Sequence, residues 1–222
     1  MIKYYNKFIT SVSEINNSPT LLIHSLCGCN LKCYNCINYD ELIIKKHNKT
    51  YDINEIVKLL KLNYFLYDYI VISGGEYLIN NIVDISHDMQ QIKNTANLPI
   101  IIYTNGTFPF KIKKILQDNI VDGVHVDMKL PFQYIQHDID KDIILKTIGV
   151  SISEKIIQNI LLSLQYTIQF DKGLNQIRTV KYPFLDKSVF EDNKNYIDQL
   201  NIKYKKNTPY VINEFIMKEI IK

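Results

Sequence analysis

The sequence predicts an α/β fold in which parallel strands are joined by helical crossovers. It places one domain over residues 1–222, with a core from about residue 20 to 215. Three observations carry this. Short apolar runs rich in Ile and Val alternate with longer segments of helical period, about six times over, which is the pattern of a parallel sheet. The strand candidates are nearly continuous apolar runs, as expected when both faces of a sheet are covered. No repeat, low-complexity linker or Pro/Gly-rich boundary interrupts the chain. An open doubly wound sheet and a barrel, complete or partial, both satisfy the pattern, and in either one ligands gather at the carboxyl ends of the strands.

The elements follow in order. "TLLIHSL" (20–26) reads as the first strand, and "INEIVKLLKLN" (53–63) as a helix with Asp52 as its N-cap. "YIVIS" (69–73) is a strand ending at Gly74-Gly75, followed by a helix over 80–93. "PIIIYT" (99–104) is a strand ending at Asn105-Gly106, followed by a helix over 110–118. "GVHVDMK" (123–129) is a strand stopped by Pro131, with the next helix over 153–165. A strand over 175–182 ends at Pro183, a helix covers 186–200, and "PYVINEF" (209–215) is the last strand.

Composition narrows the function classes. With 46% apolar residues over 222 positions the chain can close a core, and this is not a disordered composition. The apolar runs stop far short of the ~20 residues that span a bilayer, and "MIKYYNKFIT" is not followed by an apolar signal region. No membrane association and a cytoplasmic, reducing location are expected, where disulfides are rare. The net charge of +3 is carried by scattered lysines, which gives no case for nucleic-acid binding. Arg178 is the single arginine among many lysines, and so marks a position that Lys does not fill.

All four cysteines fall within "CGCNLKCYNC" (27–36). Without Cys27 the spacing is Cys29-x3-Cys33-x2-Cys36. Thiolates are soft ligands that suit zinc or iron–sulfur clusters. A structural zinc site normally has four ligands, often in two separated knuckles, and here there is no second knuckle or His pair. A four-cysteine zinc or structural iron–sulfur site would have to recruit Cys27. A 4Fe-4S cluster held by only three thiolates keeps one iron open, which is useful when a ligand is meant to bind it.

The C-x3-C-x2-C spacing after an early strand resembles the radical S-adenosyl-L-methionine (SAM) superfamily. That resemblance implies a partial (β/α)6 barrel of parallel strands. It also implies a 4Fe-4S cluster on Cys29, Cys33 and Cys36, and SAM chelated to the open iron and cleaved to a 5′-deoxyadenosyl radical. Gly74-Gly75-Glu76 at the end of the second strand, some 40 residues on, matches the segment that holds the SAM amino group in that superfamily. Two glycines let backbone approach a ligand closely, and Glu76 can accept from an ammonium.

"YTNGTF…VDGVHVDMKLP" is similar to the activating enzymes of glycyl radical enzymes, in particular the short activases of anaerobic ribonucleotide reductase, which share "RT-V" before a Pro. Asn38 agrees with their C-x-N ending. Carried over, Lys129 faces the SAM carboxylate, Asp127 lies near SAM at a bound monovalent cation, and Thr104 and Asn105 help line the SAM pocket. Structural readings stand beside these, since Asn-Gly is a common turn pair. Arg178 can pair bidentately with a carboxylate, bind ribose hydroxyls or form a structural salt bridge.

Three departures are visible. Asn35 precedes the third ligand cysteine where an aromatic residue is common, with Tyr34 one place earlier. Tyr103 replaces the aspartate of "DTNG", and Tyr77 the proline of "GGEP". The resemblance implies two partners, a glycyl radical enzyme and an electron donor such as flavodoxin or ferredoxin. Three alternatives remain: 7-carboxy-7-deazaguanine synthase, against which Ile37-Asn38 argue; another small-molecule or peptide modifier; and a structural metal-binding interaction module.

Overall fold

The computed structural model describes residues 1–15 and 17–217. Six parallel strands form the body of the sheet: β3 (Thr20–Ser25), β5 (Tyr69–Gly74), β6 (Ile100–Thr104), β7 (Gly123–Asp127), β8 (Gln176–Lys181) and β9 (Tyr210–Glu214). They lie side by side in sequence order, as crossover connections between neighbours require. Three short antiparallel strands extend the β3 side. β1 (Tyr4–Tyr5) and β2 (Ile9–Ser11) both pair with β3, and β4 (Thr50–Tyr51) pairs with β1. Among the described residues β9 pairs with β8 alone, so the barrel is partial and one side is open.

Helices α1 (Ile53–Asn63), α2 (Ile82–Ala96), α3 (Pro109–Gln117), α5 (Glu154–Gln169) and α6 (Lys187–Tyr204) occupy the crossovers. α4 (Lys141–Ile148) is an additional helix between β7 and α5. The main core lies between sheet and helices, where Ile23, Ile70, Ile72, Ile100, Ile102, Val124 and Val126 meet Ile56, Ile85, Met89, Ile112 and Leu164. Residues on the alternate positions of the same strands face the concave side. There a small cluster of Ile15, Leu22, Val71 and Ile101, with Tyr69 and Tyr103 against it, fills one end. The other end stays open at the carboxyl ends of the strands.

Asp52 caps α1 as the sequence indicates. Its carboxylate accepts from the Asn54 and Glu55 amides, and Glu55 returns a bond to the Asp52 amide, which completes a capping box. Asp52→Ala should lower unfolding free energy by about 1 kcal/mol in urea denaturation. An unchanged midpoint and slope would show that the cap carries no stability.

Candidate functional site

The loop after β3 carries the cysteines and is held from three directions. The Lys32 amide donates to the Ile148 carbonyl (2.9 Å) and the Tyr34 amide to that of Thr147 (3.0 Å), so the C-terminus of α4 grips the chain on both sides of Cys33. The Asn38 side chain donates to the Gly74 carbonyl at 3.1 Å, fixing the far end of the loop to the tip of β5. From β6, the Asn105 amide group donates to Asn30 Oδ1 at 2.9 Å and lies 3.8 Å from Cys29 Sγ. Asn30 in turn donates to Thr107 Oγ1 at 2.9 Å.

Cys29, Cys33 and Cys36 line one cavity of about 760 Å³. Cys27 is not part of its wall. Its thiol donates to the Glu76 carbonyl at 3.2 Å and lies 3.2 Å from Ser25 Oγ, which accounts for it as a packed thiol beside the loop. Burial raises the Cys29 thiol above its ordinary range and pushes Cys33 up to about 11, with Lys129 pulling the other way. In the metal-free protein both are therefore thiols, and metal binding has to release their protons. Among the described residues no three His, Cys, Asp or Glu side chains converge on a point that would hold a single ion. A cubane, whose ligands stand at separate corners, asks for thiols spaced around a cavity, and these three residues fit that demand.

Gly74 and Gly75 use their missing side chains against the protein itself. A Cβ on Gly75 would lie 2.1 Å from the Gly28 carbonyl oxygen, and one on Gly74 2.5 Å from that of Ser25. Gly74 also sits at φ +107°. The close approach is thus between the tip of β5 and the cysteine loop, and the Glu76 amide completes it by donating to the Gly28 carbonyl at 2.8 Å. The Glu76 carboxylate turns inward. It accepts from Thr104 Oγ1 (2.8 Å), the Asn105 amide (2.7 Å) and the Leu78 amide (3.1 Å), tying the ends of β5 and β6 together. The carboxylate that the sequence offers to an ammonium thus already accepts from three donors of the protein itself.

Burial pushes the Glu76 pKa up to about 7 in spite of those hydrogen bonds, and the charge of Asp127 adds to the rise. The folded protein thus holds this proton more tightly than the unfolded chain does. Ionising Glu76 costs nothing below the unfolded value near 4.5, and the full cost is reached above about 7. Glu76→Gln sets an amide group against backbone donors and should cost about 1–3 kcal/mol at pH 5. Between pH 5 and pH 8 its deficit relative to wild type should shrink by about 2.5 kcal/mol, since only wild type loses stability through this group. Parallel stability–pH curves for the two proteins would contradict this assignment.

The ends of β7 and β8 bring three charges together. Asp127 accepts from Lys129 Nζ at 2.9 Å and from Arg178 Nη2 at 3.4 Å, a single contact and not a bidentate fork. Burial alone would raise the Asp127 pKa, but the two cations outweigh it and the net shift is downward. Burial opposes the charge of Lys129, and Asp127 more than restores it. All three line the cavity with the cysteines, Thr104 and Asn105. Every site residue singled out in the sequence therefore lies on this one cavity.

Sequence reasoning missed other parts of the wall. Glu14, from the loop between β2 and β3, accepts from the Tyr103 hydroxyl at 2.7 Å. His125 stacks on the Tyr103 ring at 5.0 Å but lies behind the wall, kept neutral by burial, which lowers its pKa to about 3. At the mouth, the Tyr34 ring meets Tyr182, Phe184 and Phe215 at centroid distances of 5.0–5.9 Å. Asn35, at φ +47°, donates to the Ile216 carbonyl. Tyr34 and Asn35, the two residues before Cys36, thus join the loop to the β9 end of the sheet. Tyr182 and Phe184, one on each side of Pro183, were the available signal for this cluster.

Comparison with known proteins agrees with this geometry. A protein of Methanocaldococcus jannaschii, provisionally named a glycyl-radical enzyme activating enzyme, is 31% identical over 107 residues, which is 48% of this chain and 42% of that protein. This match spans less than half of the relative's length. The structure of HydG, a maturase of the FeFe-hydrogenase, superposes with a TM-score of 0.62 over 88% of this chain and 42% of its own, at 12% identity. Methylornithine synthase (PylB) superposes at 0.52 over 86% and 52%, at 14% identity. At such low identities the likeness is one of fold, and it establishes the partial barrel. The sequence pattern of the radical SAM superfamily matches residues 23–168, well over half of the chain and all of the cysteine loop, and this protein belongs to that superfamily.

Proposed function

We propose that the protein uses a 4Fe-4S cluster and SAM to generate a glycyl radical on a partner enzyme. The observation that carries this reading is the division of labour among the four cysteines. Three line a cavity that also presents Asn105, Asp127 and Lys129, while the fourth is spent on a backbone carbonyl. Cys29, Cys33 and Cys36 would hold the cluster, leaving one iron for SAM. When bound, cluster and SAM together would supply a hydrogen-abstracting adenosyl radical, at the expense of one electron from outside the protein.

The chain's own residues do the rest. Lys129, held by Asp127, offers a fixed positive charge to a carboxylate. The backbone of Gly74-Gly75 offers carbonyl groups to an amine, positioned by the bonds of Glu76 and Asn38. Asn105 braces Cys29 from β6. The open side of the barrel beyond β9 gives a macromolecular substrate a way to the cavity. The M. jannaschii relative supports the activase reading by its name, over the part of the chain it matches. An external donor such as flavodoxin or ferredoxin would supply the electron.

The test incubates the reconstituted protein with SAM, a reductant and candidate glycyl radical enzymes. A doublet radical signal on the partner, absent when its glycine is replaced, is the expected result. SAM cleavage that converts 6-carboxytetrahydropterin instead would assign the deazaguanine reaction. A colourless protein holding one zinc would overturn the enzyme reading altogether.

A further inference from the structure

The resemblance that places Asp127 beside a monovalent cation meets a difficulty in this chain. Asp127 is already shared by two fixed cations, Lys129 at 2.9 Å and Arg178 at 3.4 Å. An added cation there would sit against two like charges. Position 103, where the expected pattern has a second carboxylate, is a tyrosine, and the nearby Glu14 carboxylate is taken up by its hydroxyl at 2.7 Å. In place of a carboxylate, Tyr103 offers a ring face, and the Arg178 guanidinium carbon lies 3.7 Å from the ring centroid. The residues do not fit a bound alkali ion.

We propose that Arg178, seated on Tyr103, is a built-in counter-cation for Asp127, so that this protein works without a dissociable monovalent cation. A planar guanidinium can lie on an aromatic face and still direct an N–H at a carboxylate, whereas an ammonium is a compact, strongly hydrated point charge. This accounts for the one arginine in a chain that otherwise uses lysine throughout. It also gives one departure from the expected pattern a role, since the tyrosine at 103 removes the ion's ligand and at the same time supplies the seat for its substitute. Arg178 is then a positioning residue. It holds Asp127, which holds Lys129, and it reaches the cavity wall between β7 and β8.

The proposal rests on the SAM-binding reading for its consequence, but its test does not. The melting temperature of the reconstituted protein, and its SAM cleavage, are measured in potassium, sodium and choline chloride at one ionic strength. Thallium-205 NMR probes directly for a bound alkali-like ion. Wild type should melt and turn over equally in all three salts and show no bound thallium signal. Arg178→Ala and Tyr103→Asp should each melt higher in potassium than in choline, by several degrees. Potassium dependence or bound thallium in wild type overturns the proposal, and so does an Arg178→Ala protein that folds and remains indifferent to the salt. If neither variant folds, the wild-type measurements decide alone. A failure of the SAM reading looks different, as absence of cleavage in every salt.

Discussion

Cys29→Ala, Cys33→Ala and Cys36→Ala should each lose the visible iron–sulfur absorbance after anaerobic reconstitution, together with SAM cleavage, while Cys27→Ala keeps both. All four cysteines lie within ten residues and all four are partly buried, so neither composition nor exposure separates them. What separates them is direction. Cys29, Cys33 and Cys36 face the cavity, and Cys27 faces the Glu76 carbonyl. Loss of a ligand removes a corner of the site, whereas loss of a brace only loosens it. Asn105→Ala and Asn38→Ala should therefore reduce cluster retention by about 10–100-fold, as outer-shell partners do, without abolishing it. Iron and sulfide analysis of each variant checks the ranking. A Cys27→Ala protein as iron-poor as Cys29→Ala would contradict it.

Gly149→Ala should be the most damaging single-methyl change outside the cavity. Gly149 ends α4 in the left-handed region at φ +74°, where an alanine costs about 1–2 kcal/mol. Its Cβ would lie 1.7 Å from the Lys32 carbonyl oxygen, a backbone atom that cannot swing aside. Relieving that contact means moving α4 away from the cysteine loop, at a further cost of about 1–3 kcal/mol. The same movement breaks the hydrogen bonds that the Lys32 and Tyr34 amides, on either side of Cys33, donate to α4. A drop of about 2–5 kcal/mol in urea denaturation of the iron-free protein is expected, together with poorer cluster retention. At Gly173, also at positive φ but with open space around its Cβ position, alanine should cost only the backbone part. Equal losses at the two sites would show that the contact with Lys32 carries no weight.

That brace was hidden in the sequence for a physical reason. α4 spans only eight residues, and it follows a polar stretch, "QYIQHDID", that breaks any helical period. β1, β2 and β4 were hidden for a similar reason, since strands of two or three residues are too short to show alternation. The long elements were legible because apolar face, cap and terminator agreed, as in α1 with Asp52 ahead of it. In the site, the cysteine spacing, the glycine pair and the Asp127–Lys129 pair were legible because each is a local pattern. Partners far apart in sequence were not. Glu14 reaches Tyr103 across 89 positions, and nothing near either residue announces the other. The inward turn of Glu76 was likewise invisible, because its three donors are supplied by the fold.

The most direct test of the account is whether SAM touches the iron that the three cavity cysteines would leave open. Electron–nuclear double resonance on the reduced cluster, with SAM labelled at its amino nitrogen and carboxylate oxygen, measures this contact. The account predicts couplings from both labels to the cluster, equal in wild type and Cys27→Ala. A spectrum without those couplings that changes when Cys27 is removed would mean that a fourth thiolate fills the corner, and the account would be wrong.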